Sequence, residues 1–438
     1  MNGAEGQPAG LPPELPPPDF LSNKAPLPDL LLKEKRQNRY ITGFPAIGWD
    51  PETKFNYGAA IQWFDNGLAD SSFFRYTFYR QRVAVAATGS IGGSTRALLG
   101  FDRPYVADSP WRIRGAGVLE RNKFENYFGI GESTLGPLTF PGSTRSYDDF
   151  DEYTDALEKK TGGETWARYN EYEKTQVGGV VTVERDYWGG WLRPQLGLQF
   201  THVDISDYTG DHIDGAVMQP TRLYTDHQAG QILGFGGGWD NAVKFGLTFD
   251  TRDFEPDPSE GVMVQTVARV ASEALGSEFN YQQITLSGRG FHNLLGESGR
   301  LILAGRLTYA MQFGDIPFYS APNIPFTDGD ANGLGGHPSM RGFVSNRFVG
   351  EASAWADGEL RWAFAETTLW KQHLRFMLVP FVDTGRVFDT VGDTTLKDWK
   401  VDAGIGFRLA WNLSTVVSFD YARSGEGSLF HMELGHQF

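Results

Sequence analysis

The chain has 438 residues, 40% of them hydrophobic and 14% aromatic, with 54 glycines and no cysteine. A net charge of −15 repels phosphate backbones, so no nucleic acid is expected as a partner. Disulfides and thiolate metal sites are excluded, and no stretch reaches the eighteen or so apolar residues of a membrane-crossing helix.

Residues 1–37 hold eight prolines, including Pro16, Pro17 and Pro18, and read as an extended periplasmic leader. Near its end, Asp29 is placed to cap one short helix, Leu30 to Gln37. The leader is read either as a disordered tail or as a segment that docks on or inside the domain after it. Met1 leads into NGAEGQPAG with no basic start or apolar core, so the sequence is taken as a mature form with an added or retained methionine.

From Tyr40 onward the period is two. Val401, Ala403, Ile405, Phe407, Leu409 and Trp411 share one face, with Asp402, Gly404, Gly406, Arg408 and Ala410 on the other. Val243, Phe245, Leu247 and Phe249 alternate in the same way with Lys244, Gly246, Thr248 and Asp250. A soluble sandwich also alternates, but long segments whose polar face mixes charge with glycine point to lipid on one side and a wet lumen on the other. Sixteen such segments are expected, near 39–49, 55–65, 76–92, 93–103, 111–122, 168–186, 189–206, 241–252, 261–274, 278–292, 299–313, 351–365, 371–385, 399–411, 414–422 and 428–438. Long connections (123–167, 207–240, 314–350) alternate with tight ones such as Asp186 to Gly189 and Asn412 to Leu413. The predicted fold is therefore all-β: a sixteen-stranded antiparallel transmembrane β-barrel over 38–438, with an inward-folded plug loop.

That loop is the glycine-dense run Gly333 to Phe343, which carries a lone arginine, Arg341. An arginine that leaves water needs an anion, and Glu359 and Asp383 follow on strand-like segments with lumen-facing parity. The last segment keeps its alternation to the final residue: Phe430, Met432, Leu434, His436 and Phe438 on one face, with Gly435 opposite. Such an ending suits a strand that closes against the first and is read by assembly machinery. Gly43, Pro45 and Gly48 in the first strand and Gly435 in the last predict weak pairing at that seam, which would allow a lateral opening toward lipid; a closed seam with a local irregularity is the alternative.

Other motifs carry less. Asp328, Asp330, Asn332 and Gly333 imitate the start of a calcium loop, but the closing position is Ser339 and flanking helices are lacking. Asp148, Asp149, Asp151, Glu152 and Asp155 read as a solvated outer loop, and Gly129 to Thr134 as a turn. No catalytic residues, metal or cofactor are expected.

Together these residues resemble the BamA/TamA type of bacterial surface antigen barrels of the Gram-negative outer membrane. The resemblance rests on Gly335 and Gly336 leading to Arg341, Gly342 and Phe343; on Glu359 with Arg361; on Phe381, Asp383 and Gly385; and on Phe245 to Asp253 followed by Gly261. It covers roughly 240–438, and residues 40–240 match only in rhythm. It implies that the loop enters the lumen, that Arg341 meets Glu359 and Asp383, and that the C-terminal strand (Phe430, Met432, Leu434, Gly435, Phe438) is an assembly signal. It also implies outer-membrane protein insertion, translocation or membrane biogenesis, with the lipid bilayer and unfolded outer-membrane proteins as partners. Members with that role carry POTRA domains before the barrel. About 37 residues precede the first strand here, so a POTRA-less member is expected, with a periplasmic partner replacing those domains. A passive channel or structural barrel is the alternative.

Overall fold

Alternating lipid-facing and lumen-facing residues can be satisfied only if every backbone group in the bilayer finds a partner strand, which closes the sheet on itself. The computed structural model describes residues 10–370, 372–412 and 415–438. Its sixteen barrel strands are β1 Arg39–Asp50, β2 Lys54–Asp65, β3 Gln81–Ser90, β4 Thr95–Arg103, β5 Trp111–Asn126, β6 Glu171–Arg185, β7 Leu192–Asp207 and β8 Ala242–Asp250 in the first half. The second half holds β9 Gly261–Ala271, β10 Tyr281–Asn293, β11 Leu301–Gly314, β12 Ala352–Leu369, β13 Gln372–Phe388, β14 Lys400–Trp411, β15 Thr415–Ser424 and β16 Gly427–Leu434. Each pairs antiparallel with its neighbour, and β1 meets β16 to close the cylinder. The tight turn expected at Asn412 to Leu413 falls partly outside the described residues, as do the first nine residues of the leader.

The exposure pattern is that of a soluble protein turned inside out. Phe245, Leu247, Val264, Leu303, Leu307, Val382, Ile405 and Tyr421 are exposed, while Lys244, Arg269, Arg306, Asp357, Asp383, Arg408 and Asp420 from the same strands are buried. Lipid in place of water explains it. At the end where β1 begins and β16 ends, Trp111, Trp188, Trp370 and Trp411 are exposed, at the level where indole rings favour the interface. Connections there are short, which marks that end as periplasmic.

The segment between β11 and β12 folds into the cylinder. Its tip is a small hairpin, Ile324–Phe326 against Gly329–Ala331. Thr327 accepts through its carbonyl from Arg114 Nη2 of β5 (2.9 Å) and Gln195 Nε2 of β7 (3.3 Å). Asp330 pairs with Lys244 of β8 at 2.8 Å and with Arg269 of β9. A chain that leaves β11 and touches the inner faces of β5, β7, β8 and β9 must cross the lumen. Asp328 and Asp330, the carboxylates of the calcium-like run, are engaged by Arg114, Lys244 and Arg269.

Outside the bilayer, residues 127–170 and 208–241 build a cover around Phe128, Phe140, Tyr147, Tyr153 and Tyr169, joined by Val344 of the inward segment. Within it the acidic run is not an open loop but part of a helix, α2 Phe150–Leu157, because Asp149 caps it by accepting from Glu152 N. The Phe150 amide donates to Glu426 O at 2.8 Å, tying α2 to the β15–β16 turn. Arg347 adds ion pairs to Glu426 (2.8 Å) and donates to Thr134 O (2.6 Å) and Gly136 O (3.0 Å).

Three further expectations are corrected. The leader helix, α1, spans Asp29–Glu34; Asp29 is its first residue and makes no side-chain cap, since Pro28 holds the cap position. The final strand stops at Leu434 and not at Phe438: Gly435 takes φ +106°, and the last residues turn inward. There Gln437 Nε2 donates to Ser339 O at 2.9 Å, and the Phe438 ring packs on Phe291 with centroids 6.3 Å apart. Nor is the lumen wet throughout. Met377, Val379, Ala410 and Val416 form an apolar cluster on the inner wall.

Candidate functional site: the anchored loop and the seam

Period two on β12 and β13 sends Asp357, Glu359 and Arg361, and likewise Phe381, Asp383 and Gly385, to the inner wall. Arg341 descends onto this wall from the loop. Its Nε and Nη2 grip Asp383 as a fork, both at 2.8 Å, and its Nη1 reaches Glu359 Oε1 at 2.7 Å. The guanidinium lies over the Phe381 ring, 3.4 Å from its centroid. Planar stacking and a bidentate grip are what a guanidinium offers and an ammonium does not.

The network runs beyond the two acids that the sequence suggested. Arg361 Nε donates to Glu359 Oε2 at 2.7 Å. Arg408 of β14 pairs with Asp420 of β15 at 2.8 Å, and Asp420 lies 3.6 Å from Arg341. The Arg341 carbonyl accepts from His431 Nε2 of β16 at 2.9 Å. Arg341, Arg361, Arg408, Glu359, Asp383 and Asp420 are all fully buried. Parity alone contained the signal for Arg408, Asp420 and His431, since each faces the lumen on its strand.

Glycine makes the close fit. A Cβ at Gly342 would stand 2.5 Å from Asp402 Cβ, and one at Gly385 would stand 2.6 Å from Leu334 Cδ2. Gly335 and Gly336 take φ of +110° and +82°, which reverse the chain before Arg341. Phe343 packs edge-on against Phe348 at 5.1 Å, in a cluster with Leu334, Met340 and Trp355.

At the seam, β1 and β16 share one register pair among the described residues, Trp49↔Met432. By contrast, β15 and β16 share eight, from Val417↔Leu434 to Ser424↔Gly427. Since β16 ends at Leu434, which the register sets level with Ile47, the backbone of β1 from Arg39 to Ala46 has no strand beside it on that edge among the described residues. Phe430 and Leu434 are exposed, and Met432 sits at the pair itself. The far end of the β1–β2 hairpin is held differently: Glu52 Oε1 accepts from Ser345 N of the loop at 2.6 Å. A cavity of about 670 Å³ lies inside the β1–β8 half and reaches Gly48 and Trp49 on one side of the seam and Met432 and Leu434 on the other.

Comparison with known proteins agrees with this architecture. The fold is similar to BamA from Haemophilus ducreyi lacking POTRA domains 1–3, with a TM-score of 0.56 and 17% identity over 91% of this chain and 70% of that one. It is also similar to CdiB from Escherichia coli, with a TM-score of 0.52 and 11% identity; the match covers 90% of this chain but 62% of CdiB. No curated protein sequence shows a significant match. Residues 18–80 match a family model described as a domain of unknown function, whose range takes in β1 and β2. Residues 81–438 match the Omp85 superfamily domain, and the chain belongs to that superfamily of outer-membrane barrels.

Proposed function

We propose that this barrel inserts or translocates other polypeptides at the outer membrane through its seam, without covalent chemistry. The single register pair between β1 and β16 carries the reading. An unpaired strand edge is a template for an incoming strand, because its free N–H and C=O groups can continue a ladder. Here that edge is the lower part of β1, and the cavity of about 670 Å³ reaches the same seam just above it, at Ala46 to Trp49. The eight residues of β16 also fall short of the nine to eleven or so that span a bilayer, so lipid beside the seam must thin to meet it. The anchored loop serves as the fixed part of this device: Arg341, locked to Asp383 and Glu359, holds β12 and β13 rigid and ties β16 through His431, which leaves β1 as the strand that moves. In this reading the partners are the bilayer, unfolded outer-membrane proteins and a periplasmic delivery protein.

The test is a disulfide lock. The chain has no cysteine, so Trp49→Cys with Met432→Cys creates one defined bridge across the opposed pair. In proteoliposomes the reduced variant is expected to speed the folding of an unfolded client barrel, and oxidation is expected to abolish that effect. Equal activity in the locked and reduced forms would remove the seam from the mechanism. Steady ion conductance with no effect on clients would favour a passive channel.

A further inference from the structure

The periplasmic mouth of the hollow half is covered by this chain's own leader. The 66–80 turn first reaches over it: the Phe78 and Phe254 rings stand 5.7 Å apart, although strands β3 to β8 lie between their two turns. The leader then lies on this platform. Leu21 and Leu32 are fully buried, and Phe20 and Leu21 pack with Phe73 and Tyr105 of the rim turns. Its backbone is bonded at two rims, Leu27 N to Arg75 O (2.7 Å) and Asn23 N to Gly189 O (3.0 Å). Lys24 reaches Glu255 of the β8–β9 turn at 3.1 Å. Lys35 donates to Phe74 O at 2.6 Å and to Thr77 O, with its ammonium over the Phe74 ring. A Cβ at Gly189 would stand 2.6 Å from Ser22 Oγ, so the rim glycines leave room for the leader to lie flat. Beneath it is a chamber of about 130 Å³ lined by Lys24, Tyr79, Arg112, Trp191, Arg252 and Phe254. A second of about 70 Å³, lined by Gln195 and Thr248, lies further in.

We propose that residues 18–35 are a displaceable cap, a peptide docked in cis in a groove of the mouth that shuts the hollow half of the lumen from the periplasm. The groove takes two short helical turns, Asp19–Leu21 and α1, joined by an irregular stretch, with apolar anchors at Leu21 and Leu32 and a cation at Lys24. Displacement is within reach because a proline-interrupted stretch with two short helical turns gives up much chain entropy on docking, which a few buried leucines offset only narrowly. Displacement also acts on the seam, since the cap runs straight into β1, whose lower edge is already unpaired. The matched domain of unknown function, 18–80, covers the cap, its platform turn and the hairpin between them, so one module both shuts the mouth and carries the gate strand. The inference is independent of the insertase reading, because the same cap would shut a channel.

The test uses the absence of native cysteine. Thr248→Cys places a unique thiol behind the cap, and labelling by a membrane-impermeant maleimide reports access. Labelling is expected to be slow in the otherwise intact chain. It is expected to be roughly tenfold or more faster with Leu21→Asp or Lys24→Glu, or on deletion of residues 18–35. Adding a synthetic peptide of residues 18–35 to the deleted barrel should restore slow labelling, and the same peptide with Leu21→Asp should not. Fast labelling of the intact chain, or no acceleration in either point variant, would overturn the proposal. Neither readout involves a client, so failure here leaves the seam mechanism standing.

Discussion

Between β9 and β16 the cylinder is filled by protein, whereas between β1 and β8 it encloses a cavity of about 670 Å³. In the filled half, charges meet charges out of water: Arg341 touches Asp383 and Glu359, all fully buried. In the hollow half, ion pairs such as Arg96–Glu120 stay partly exposed, with 52% and 22% of their side-chain surfaces accessible. The contrast shows how one barrel can be rigid and deformable together. Desolvated charges fix geometry because losing one partner is costly, while solvated charges tolerate rearrangement.

The sharpest way to break the contrast is to remove charge from each half. Arg341→Ala leaves Asp383 buried without its cation, while Glu359 keeps Arg361, and a loss of about 3–5 kcal/mol is expected. Arg96→Ala should cost under about 1 kcal/mol. Denaturant midpoints of the folded barrel in detergent compare the two, and equal losses would erase the distinction.

Glycine gives a second, smaller comparison. Gly342→Ala drives a methyl to 2.5 Å from Asp402 Cβ, and overpacking of this kind costs about 1–3 kcal/mol. At Gly117 the nearest atoms to an added Cβ are 3.8 Å away, so Gly117→Ala should be neutral or slightly stabilising. The same denaturation assay reads both.

A last comparison concerns the cover of the hollow half. Burial, with the Arg80 guanidinium adding to it, pulls the Lys35 ammonium from its ordinary 10.5 down to about 7. Between those values the docked leader holds one proton fewer than the free one, so docking strengthens as pH rises through that window and weakens toward acid. The labelling rate behind the leader, taken as a ratio to a Lys35→Met variant at each pH, should therefore fall between pH 7 and 10. A flat ratio would mean that Lys35 does not feel its burial.

Much of this was visible in the alternation of residues. The parity of Val401 to Trp411 and of Glu359 and Asp383 separates lipid from lumen, because a strand's side-chain period leaves no other choice once one face meets lipid. What parity cannot register is a backbone reversal. The alternation of Leu434, His436 and Phe438 runs unbroken through Gly435, yet one positive φ there ends the strand and sends the last ring inside. Nor does alternation reveal how full a lumen is. Met377 and Val379 share the inward phase of Asp383 but pack against Ala410 and Val416 of the next two strands, a pairing that one strand's own alternation does not register. The leader was harder still, since its buried Leu21, Leu27 and Leu32 follow no period, and their burial depends on rim turns distant in sequence.

The bond from Phe150 to Glu426 has a consequence at the cell surface. Helix α2 faces outward, yet its first turn is fastened to the hairpin whose second strand borders the opening. An antibody fragment that grips α2 would thus load β16 from outside, slowing or trapping the barrel's breathing without ever entering it.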